Sequence, residues 1–319
     1  MAAQAILPGV TAITTMIGAN PLALYMLHGE RTLLLDSGLR GMPDAVIFPT
    51  LEAAGLSMRP DMLMNSHADA DHHGGNAGVL ARSPDTLVLC HALDAPRIAS
   101  RERHLRERYT DAVAADDTPY EPALLAWLAD GIGPDAPVHL ALQGGEQLWL
   151  GPRASWKVLH VPGHTPGHLA LWSAEHGTLI VQDAVLGGMG VEPDGAVGSP
   201  PPYFDVERYL ATLGRLRGLG AELLLGAHFP PLVGAAAVEA YLDASAQFVA
   251  ELGGLALELV RAANAPLTLG AVCAAVDARL GPSSTPVQWL PPVRAHLEHH
   301  AAQGRLRELR GGGPRAWAA

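Results

Sequence analysis

Residues 65–76 read NSHADADHHGGN, which places His67, Asp69, Asp71 and His72 at the spacing H-x-D-x-D-H. Three more candidates lie downstream: His164 within HVPGHTPGH, Asp183 within IVQDAV and His228 within LLGAHFPP. Imidazoles and carboxylates are the ligands that bind divalent cations. Two cations held about 4 Å apart lower the pKa of a shared water and polarise the carbonyl or phosphoryl oxygen that it attacks. Hydrolysis by such a set would need no Ser-His-Asp nucleophile, because the nucleophile would come from solvent and the metals would stabilise the oxyanion.

The elements that must converge these residues are legible in outline. VTAITTMI, LALYMLHG and RTLLLDSG read as a strand meander, the last two joined at the tight turn HGER. From about residue 43 a helix (PDAVIFPTLEAAG), a strand (MLMNS), the motif loop, a helix from Gly75 and the strand TLVLC alternate, as in a β/α unit. A polar, Arg- and Asp-rich stretch, about 98–137, interrupts the alternation as a helical insertion. VHLALQ, EQLWLG, WKVLHV, HLALWS and TLIVQDAV then predict the strands of a second sheet. The Gly- and Pro-rich DAVLGGMGVEPDGAVGSPPPYF predicts an irregular loop beside the site. The helix DVERYLATLGRLRGL and the strand ELLLGAH complete an α/β fold, an αββα sandwich of two mixed sheets flanked by helices. Residues 1–250 form its catalytic domain. Residues 251–319 predict three helices and a hairpin around GGGP, a small winged-helix-like module.

Composition narrows the function. The chain has 319 residues, 49% apolar, and a net charge of −11. Residues 1–250 carry 14 Lys+Arg against 27 Asp+Glu, whereas 251–319 carry seven Arg against five acids. A single lysine, Lys157, argues against a basic nucleic-acid track. Cys90 and Cys273 are far apart and predict structural thiols rather than a thiolate site. No apolar run approaches the roughly 20 residues of a membrane span. The N-terminus has no basic region ahead of an apolar stretch, so the expected location is cytoplasmic.

The four motifs, in this order over about residues 10–235, resemble those of the metallo-β-lactamase-fold hydrolases: H-x-H-x-D-H, GHTPGH, an Asp after an apolar strand and a late His. The resemblance implies one metal on His67, Asp69 and His164, another on Asp71, His72 and His228, and Asp183 bridging, with Asp71 and Asp183 serving catalysis as well. Asp69 departs from the pattern, which has histidine there. A carboxylate adds negative charge and moves the preference from zinc, the leading metal, toward Mn or Fe. The tail VRAHLEHHAAQGRLREL is similar to the winged-helix end of one branch of the superfamily.

The function expected is a dinuclear metal-dependent hydrolase that uses a bridging hydroxide on an ester, lactone or thioester of a small organic substrate. Tyr203 and Phe229, next to site loops, are the candidate substrate-binding residues. Two alternatives stand beside it: a phosphodiesterase or ribonuclease using the same site, supported by Asp69 and the tail, and a catalytically degenerate binding module. His73, His160 and His168 are read as supporting the ligands from outside or as structural, Asp36 as either orienting a ligand histidine or capping a turn, and the tail as a packing or homodimerisation surface.

Overall fold

The computed structural model describes residues 2–116, 118–190, 198–283 and 285–319. Among them the first sheet runs, in spatial order, β1 (Ala2–Leu7), β2 (Val10–Ile17), β3 (Asn20–His28), β4 (Thr32–Leu35), β5 (Met62–Met64), β6 (Leu87–His91) and β7 (Leu140–Leu142). The first four strands are an antiparallel meander, and β4 to β7 are parallel to one another. β3 shows why its sequence is apolar at nearly every position. Tyr25 and Leu27 face the second sheet, while Leu24 and Met26 pack on the opposite side with Ile47, Phe48 and Leu51. A strand covered on both faces has no solvent side to make polar.

The second sheet has the order β13 (Leu232–Val233), β12 (Leu223–Leu225), β11 (Thr178–Ile180), β10 (Leu169–Ser173), β9 (Ser155–His160) and β8 (Gln147–Trp149). β11 and β12 pair in parallel there, and the other neighbours are antiparallel. Leu33, Leu35, Met64, Leu89, Val158, Leu169 and Leu171 fill the layer between the sheets. The short helices α1 (Phe48–Ala53), α2 (Ala70–His73) and α3 (Asn76–Arg82) follow strands of the first sheet. Helices α4 (Ala95–Ile98), α5 (Arg101–His104), α6 (Asp111–Ala114) and α7 (Pro122–Ile132) form the insertion, with a wide π-helical turn, Leu105–Thr110, between α5 and α6. The second sheet is covered by α8 (Val206–Arg217), whose first turn is capped by the Asp205 carboxylate accepting from Arg208 N, and by α9 (Ala235–Ala262).

The remainder consists of α10 (Leu269–Leu280), α11 (Leu290–Ala302), and the strands β14 (Leu267–Thr268), β15 (Arg307–Leu309) and β16 (Ala316–Ala318), which form a small sheet of order β14-β16-β15. No helix among the described residues is long and apolar enough to cross a membrane.

Two expectations are revised and two elements are added. AAQAIL lacks the β-branched signature of a strand, yet it forms β1 by pairing with β2. VHLALQ gives β7, which joins the first sheet beside β6 rather than the second. The chain changes sheets at Gly144 and Gly145, whose φ values of 90° and 105° suit glycine and turn the backbone away. The helix expected from Gly75 is α3, with Gly75 at its N-cap, and the additional short helix α2 precedes it, so Asp71 and His72 lie in a helical turn. The boundary at residue 250 falls inside α9, a continuous 28-residue helix whose Phe248, Val249, Leu252 and Ala256 share one core cluster with Leu224, Trp289 and Trp317. Of the Gly- and Pro-rich loop, residues 191–197 lie outside the described residues.

Candidate metal centre

β5, an interior strand of the first sheet, ends at Met64, and the chain enters the motif loop from that strand end. His67 and His72 are completely buried there. Asp69, extended at φ −112° and ψ 151°, stands immediately before α2. His164 follows β9, Asp183 sits in a 3₁₀ turn after β11, and His228 follows β12. All seven predicted ligands therefore meet at the same ends of strands from two sheets.

Their geometry falls into overlapping groups: His67, Asp69 and His164; Asp71, His72 and His228; and His67, His72 and Asp183, with the donor atoms of each group within 4.8 Å of one another. Asp69 Oδ2 stands 3.1 Å from His164 Nε2 and 3.7 Å from His67 Nε2. Asp71 Oδ2 stands 3.7 Å from His72 Nε2 and 3.4 Å from His228 Nε2. Asp183 Oδ2 reaches both groups, 3.9 Å from His67 Nε2, 3.5 Å from His72 Nε2 and 3.3 Å from His228 Nε2. Ligand atoms about 2.1 Å from a tetrahedral ion are roughly 3.4 Å apart, so apart from the 3.1 Å hydrogen bond between His164 and Asp69 these separations suit a shared cation better than direct hydrogen bonds.

The outer contacts of the histidines agree. Nδ1 of His72 donates to Asp36 Oδ2 at 2.8 Å, Nδ1 of His164 to the Pro202 carbonyl at 2.7 Å, and Nδ1 of His228 to the Pro21 carbonyl at 2.7 Å. His67 Nδ1 meets Ser66 Oγ at 2.9 Å, and that hydroxyl donates to Asp36 Oδ2 at 2.8 Å, so the imidazole is the donor. Each ring thus spends Nδ1 on a fixed partner and turns Nε2 inward, as metal-ligating histidines do. Nε2 of His67, Nε2 of His72 and Oδ1 of Asp183 are buried without a hydrogen-bond partner among the described residues. Orphaned polar atoms of that kind are rare unless an ion or water completes them, and the donor set fits divalent metal.

Asp36, whose role was open from sequence, orients the candidate ligands His72 and, through Ser66, His67. Fully buried, it accepts from Ser66 N, Ser66 Oγ, His72 and Gln182 Nε2, and it holds a left-handed φ of 65° that ends β4 abruptly. Asp94, which the sequence did not flag, ties the motif loops together by accepting from Ala68 N, Thr165 Oγ1 and Gly167 N. His168 stacks on His67 at 4.4 Å, and His73 pairs with His104 at 2.8 Å away from the centre. Neither joins a donor group.

The charge balance is specific. Burial opposes charge on His72 and His228, yet the Asp183 carboxylate, with Asp71 beside it, holds both imidazoles well above the ordinary histidine range. Burial likewise pushes the Asp183 carboxyl up, but His228 and His72 outweigh it and hold it well below the usual carboxylate range. His67, buried and facing His72, is lowered.

Asp69 has a partner that the sequence did not reveal. Arg108, in the π-helical turn of the insertion, donates through Nε to Oδ1 at 2.9 Å and through Nη2 to Oδ2 at 2.8 Å. Its guanidinium lies 4.0 Å over the Phe204 ring. Burial raises the Asp69 carboxyl, but Arg108, with His164 and His67, brings it well below the ordinary range. The negative charge that distinguishes Asp69 from an imidazole is therefore offset by a guanidinium in contact with it. Only the richness of the insertion in arginine hinted at this, and nothing in the spacing singled out Arg108.

The two candidate substrate residues fare differently. Tyr203 is fully buried, stacked on Tyr209 at 4.8 Å, with its hydroxyl 2.8 Å from His296 Nε2. It belongs to the core, because its ring has an aromatic partner and its one polar atom is taken. Phe229 is half-buried beside His228, with its ring 4.6 Å from Tyr241.

Comparison with known proteins places this geometry among relatives. A sequence model described as the metallo-beta-lactamase superfamily matches residues 19–228. An acyl-coenzyme A thioesterase of Gallus gallus, MBLAC2, is 31% identical over 229 residues, 66% of this chain and 73% of that protein. A hydroxyacylglutathione hydrolase of Methylococcus capsulatus is 29% identical over 202 residues, 62% of this chain and 58% of its own length. A metallo-beta-lactamase family protein of Thermus thermophilus has the same fold, with a TM-score of 0.75 at 23% identity, over 98% of this chain and 99% of the other.

Proposed function

Since the chain belongs to the metallo-β-lactamase superfamily, we propose that it is a hydrolase of small thioesters that holds two divalent metals, zinc foremost, in one centre. Four imidazole Nε2 atoms converging with three carboxylates carry this reading. His67, Asp69 and His164 would hold one metal, Asp71, His72 and His228 the other, and Asp183 both. When bound, the metals supply Lewis acidity and an activated water. The chain supplies the rest: Asp36 and the Pro202 and Pro21 carbonyls fix which imidazole nitrogen faces the centre. Asp71 and Asp183, whose carboxyls are held below the usual range, would take the proton from the attacking water.

The names of the two relatives favour thioesters among the acyl substrates, one acting on acyl-coenzyme A and the other on hydroxyacylglutathione. The net charge of −11 and single lysine favour a small substrate over a nucleic acid. We read the protein as cytoplasmic, and the expected catalytic domain, residues 1–250, and winged-helix-like module, residues 251–319, as two parts of one core joined through α9. The arrangement of α10, α11 and the three-stranded sheet supports that module.

The test is to quantify bound metal in protein purified without added metal and to assay thioesters, lactones, aryl esters, phosphodiesters and β-lactams side by side. Thioesters should lead by roughly tenfold or more in kcat/KM, a difference of about 1.4 kcal/mol in transition-state stabilisation, and chelation should abolish the activity. A leading phosphodiester would replace the substrate class. Two bound metals with no turnover on any of these would mark a binding module.

A further inference from the structure

Apart from His67, which rests through Ser66 on the Asp36 that also holds His72, the two halves of the centre are supported from different parts of the molecule. His72 and His228 rest on Asp36 and Pro21, at the end of β4 and the start of β3 in the first sheet. Asp69 and His164 rest on groups that lead to α11.

The first route passes through the segment Pro202 to Phe204. The Pro202 carbonyl accepts from His164 Nδ1 at 2.7 Å, Phe204 N donates to the Gly163 carbonyl at 2.8 Å, and the Phe204 ring underlies Arg108. Between them, the Tyr203 hydroxyl is hydrogen-bonded to His296 of α11. The second route passes through the insertion. Asp116, completely buried, accepts from Arg315 Nε at 2.7 Å and Nη2 at 3.0 Å, and Arg294 Nε of α11 stands 2.8 Å from its Oδ2. Arg315 N also donates to the Ala115 carbonyl at 2.9 Å, and Arg315 Nη1 reaches Glu298 of α11 at 2.8 Å. Eight residues before Asp116, across α6 and the π-helical turn, Arg108 grips Asp69.

We infer that α11 and the adjoining Arg315 brace one half of the centre, setting the Asp69 and His164 side chains through Arg108 and Tyr203, while the Asp71, His72 and His228 half stands independently of the C-terminal unit. Arg108, Tyr203 and Asp116 are positioning residues in this arrangement, since none is among the metal-ligating groups. The bidentate fork keeps both Asp69 oxygens in one plane and leaves each a lone pair for a cation. The inference rests on the two-metal reading above.

The experiment uses the full-length protein stripped by chelator and titrated with cobalt(II), following its visible absorption and the bound metal per chain. Wild type should take up two equivalents. Arg108→Gln, which removes a direct partner of a ligand, should weaken one equivalent by about 10- to 100-fold, Asp116→Asn and Tyr203→Phe, which act at a further remove, should weaken the same equivalent by a smaller factor, and all three should leave the other within about twofold. His228→Ala provides the reference spectrum for a protein deprived of the opposite half. Arg108→Lys, which keeps the charge without the fork, should fall between wild type and Arg108→Gln.

Tyr203→Phe removes one hydroxyl and keeps the ring, so it remains informative if Asp116→Asn unfolds, which far-ultraviolet circular dichroism would show. Two tight equivalents in both Arg108→Gln and Tyr203→Phe, or equal weakening of both sites, overturns the brace. A wild-type protein that binds fewer than two equivalents overturns the two-metal reading itself, and the brace with it.

Discussion

At the scale of residues, Asp69 and Arg108 act as one unit. A carboxylate placed where an imidazole is usual would add a charge, but the guanidinium in contact with it offsets that charge. Asp69→His alone should therefore do harm, because it leaves Arg108, only 10% exposed, facing histidines and a metal without a counter-ion. Removing one partner of a buried pair costs about 3 kcal/mol, and the titrated metal should bind more weakly at that half. Asp69→His combined with Arg108→Gln should recover much of both losses. Urea unfolding and metal titration of the four proteins give the coupling energy, and strictly additive losses would contradict the pairing. A second expectation concerns pH. His72 and His228 are held above the ordinary histidine value of about 6.5 by Asp183 and Asp71, so in the metal-free protein protons occupy the nitrogens that must bind metal. Metal must displace them. Affinity should therefore rise as pH increases through neutrality and fall on acidification, with proton release visible by calorimetry in buffers of different ionisation enthalpy. Affinity independent of pH would show that those imidazoles are already neutral.

At the scale of elements, the placing of His164 depends on a close approach between its loop and α8. Gly163 has a φ of 140°, and a Cβ there would lie 2.6 Å from Tyr209 Cα. Both facts require glycine, one for backbone conformation and the other because the obstacle is main chain that cannot rotate away. Gly163→Ala should lower stability by about 1–3 kcal/mol from backbone strain and loosen metal at the His164 half more than at the other. Thermal unfolding with and without metal, beside the cobalt titration, checks this. A variant with unchanged melting and unchanged titration would show that α8 shifts without consequence.

At the scale of the whole molecule, the C-terminal elements are part of the main core. α9 crosses residue 250 without a break, and Val238, Leu242, Phe248 and Val249 share a cluster with Trp289, Val293 and Trp317. A chain ending at residue 250 would uncover side chains whose burial is worth about 1.5–3 kcal/mol each, against a total stability of about 5–15 kcal/mol. Such a truncation should aggregate or lack a cooperative thermal transition rather than survive as a folded hydrolase. A soluble, cooperatively melting fragment 1–250 that retains two metals would separate the units after all.

The sequence by itself determined the candidate ligand types, the apolar strands that end at them and the layered α/β order, because these depend on local spacing and periodicity. H-x-D-x-D-H, GHTPGH and two strand-end residues are short-range patterns, and a strand predicts where its own end lies. Which sheet β7 joins, how the lone carboxylate Asp69 is neutralised and what anchors His164 were decided only by the tertiary structure. Arg108 is 39 residues from Asp69 and Tyr203 is 93 residues from His296. Contacts across such separations carry no periodic signal, since any of the many arginines could have supplied the charge. Tyr203 shows the same limit from the other side: its position next to a site loop suggested substrate, and the fold turned its ring into the core to hold that loop from behind.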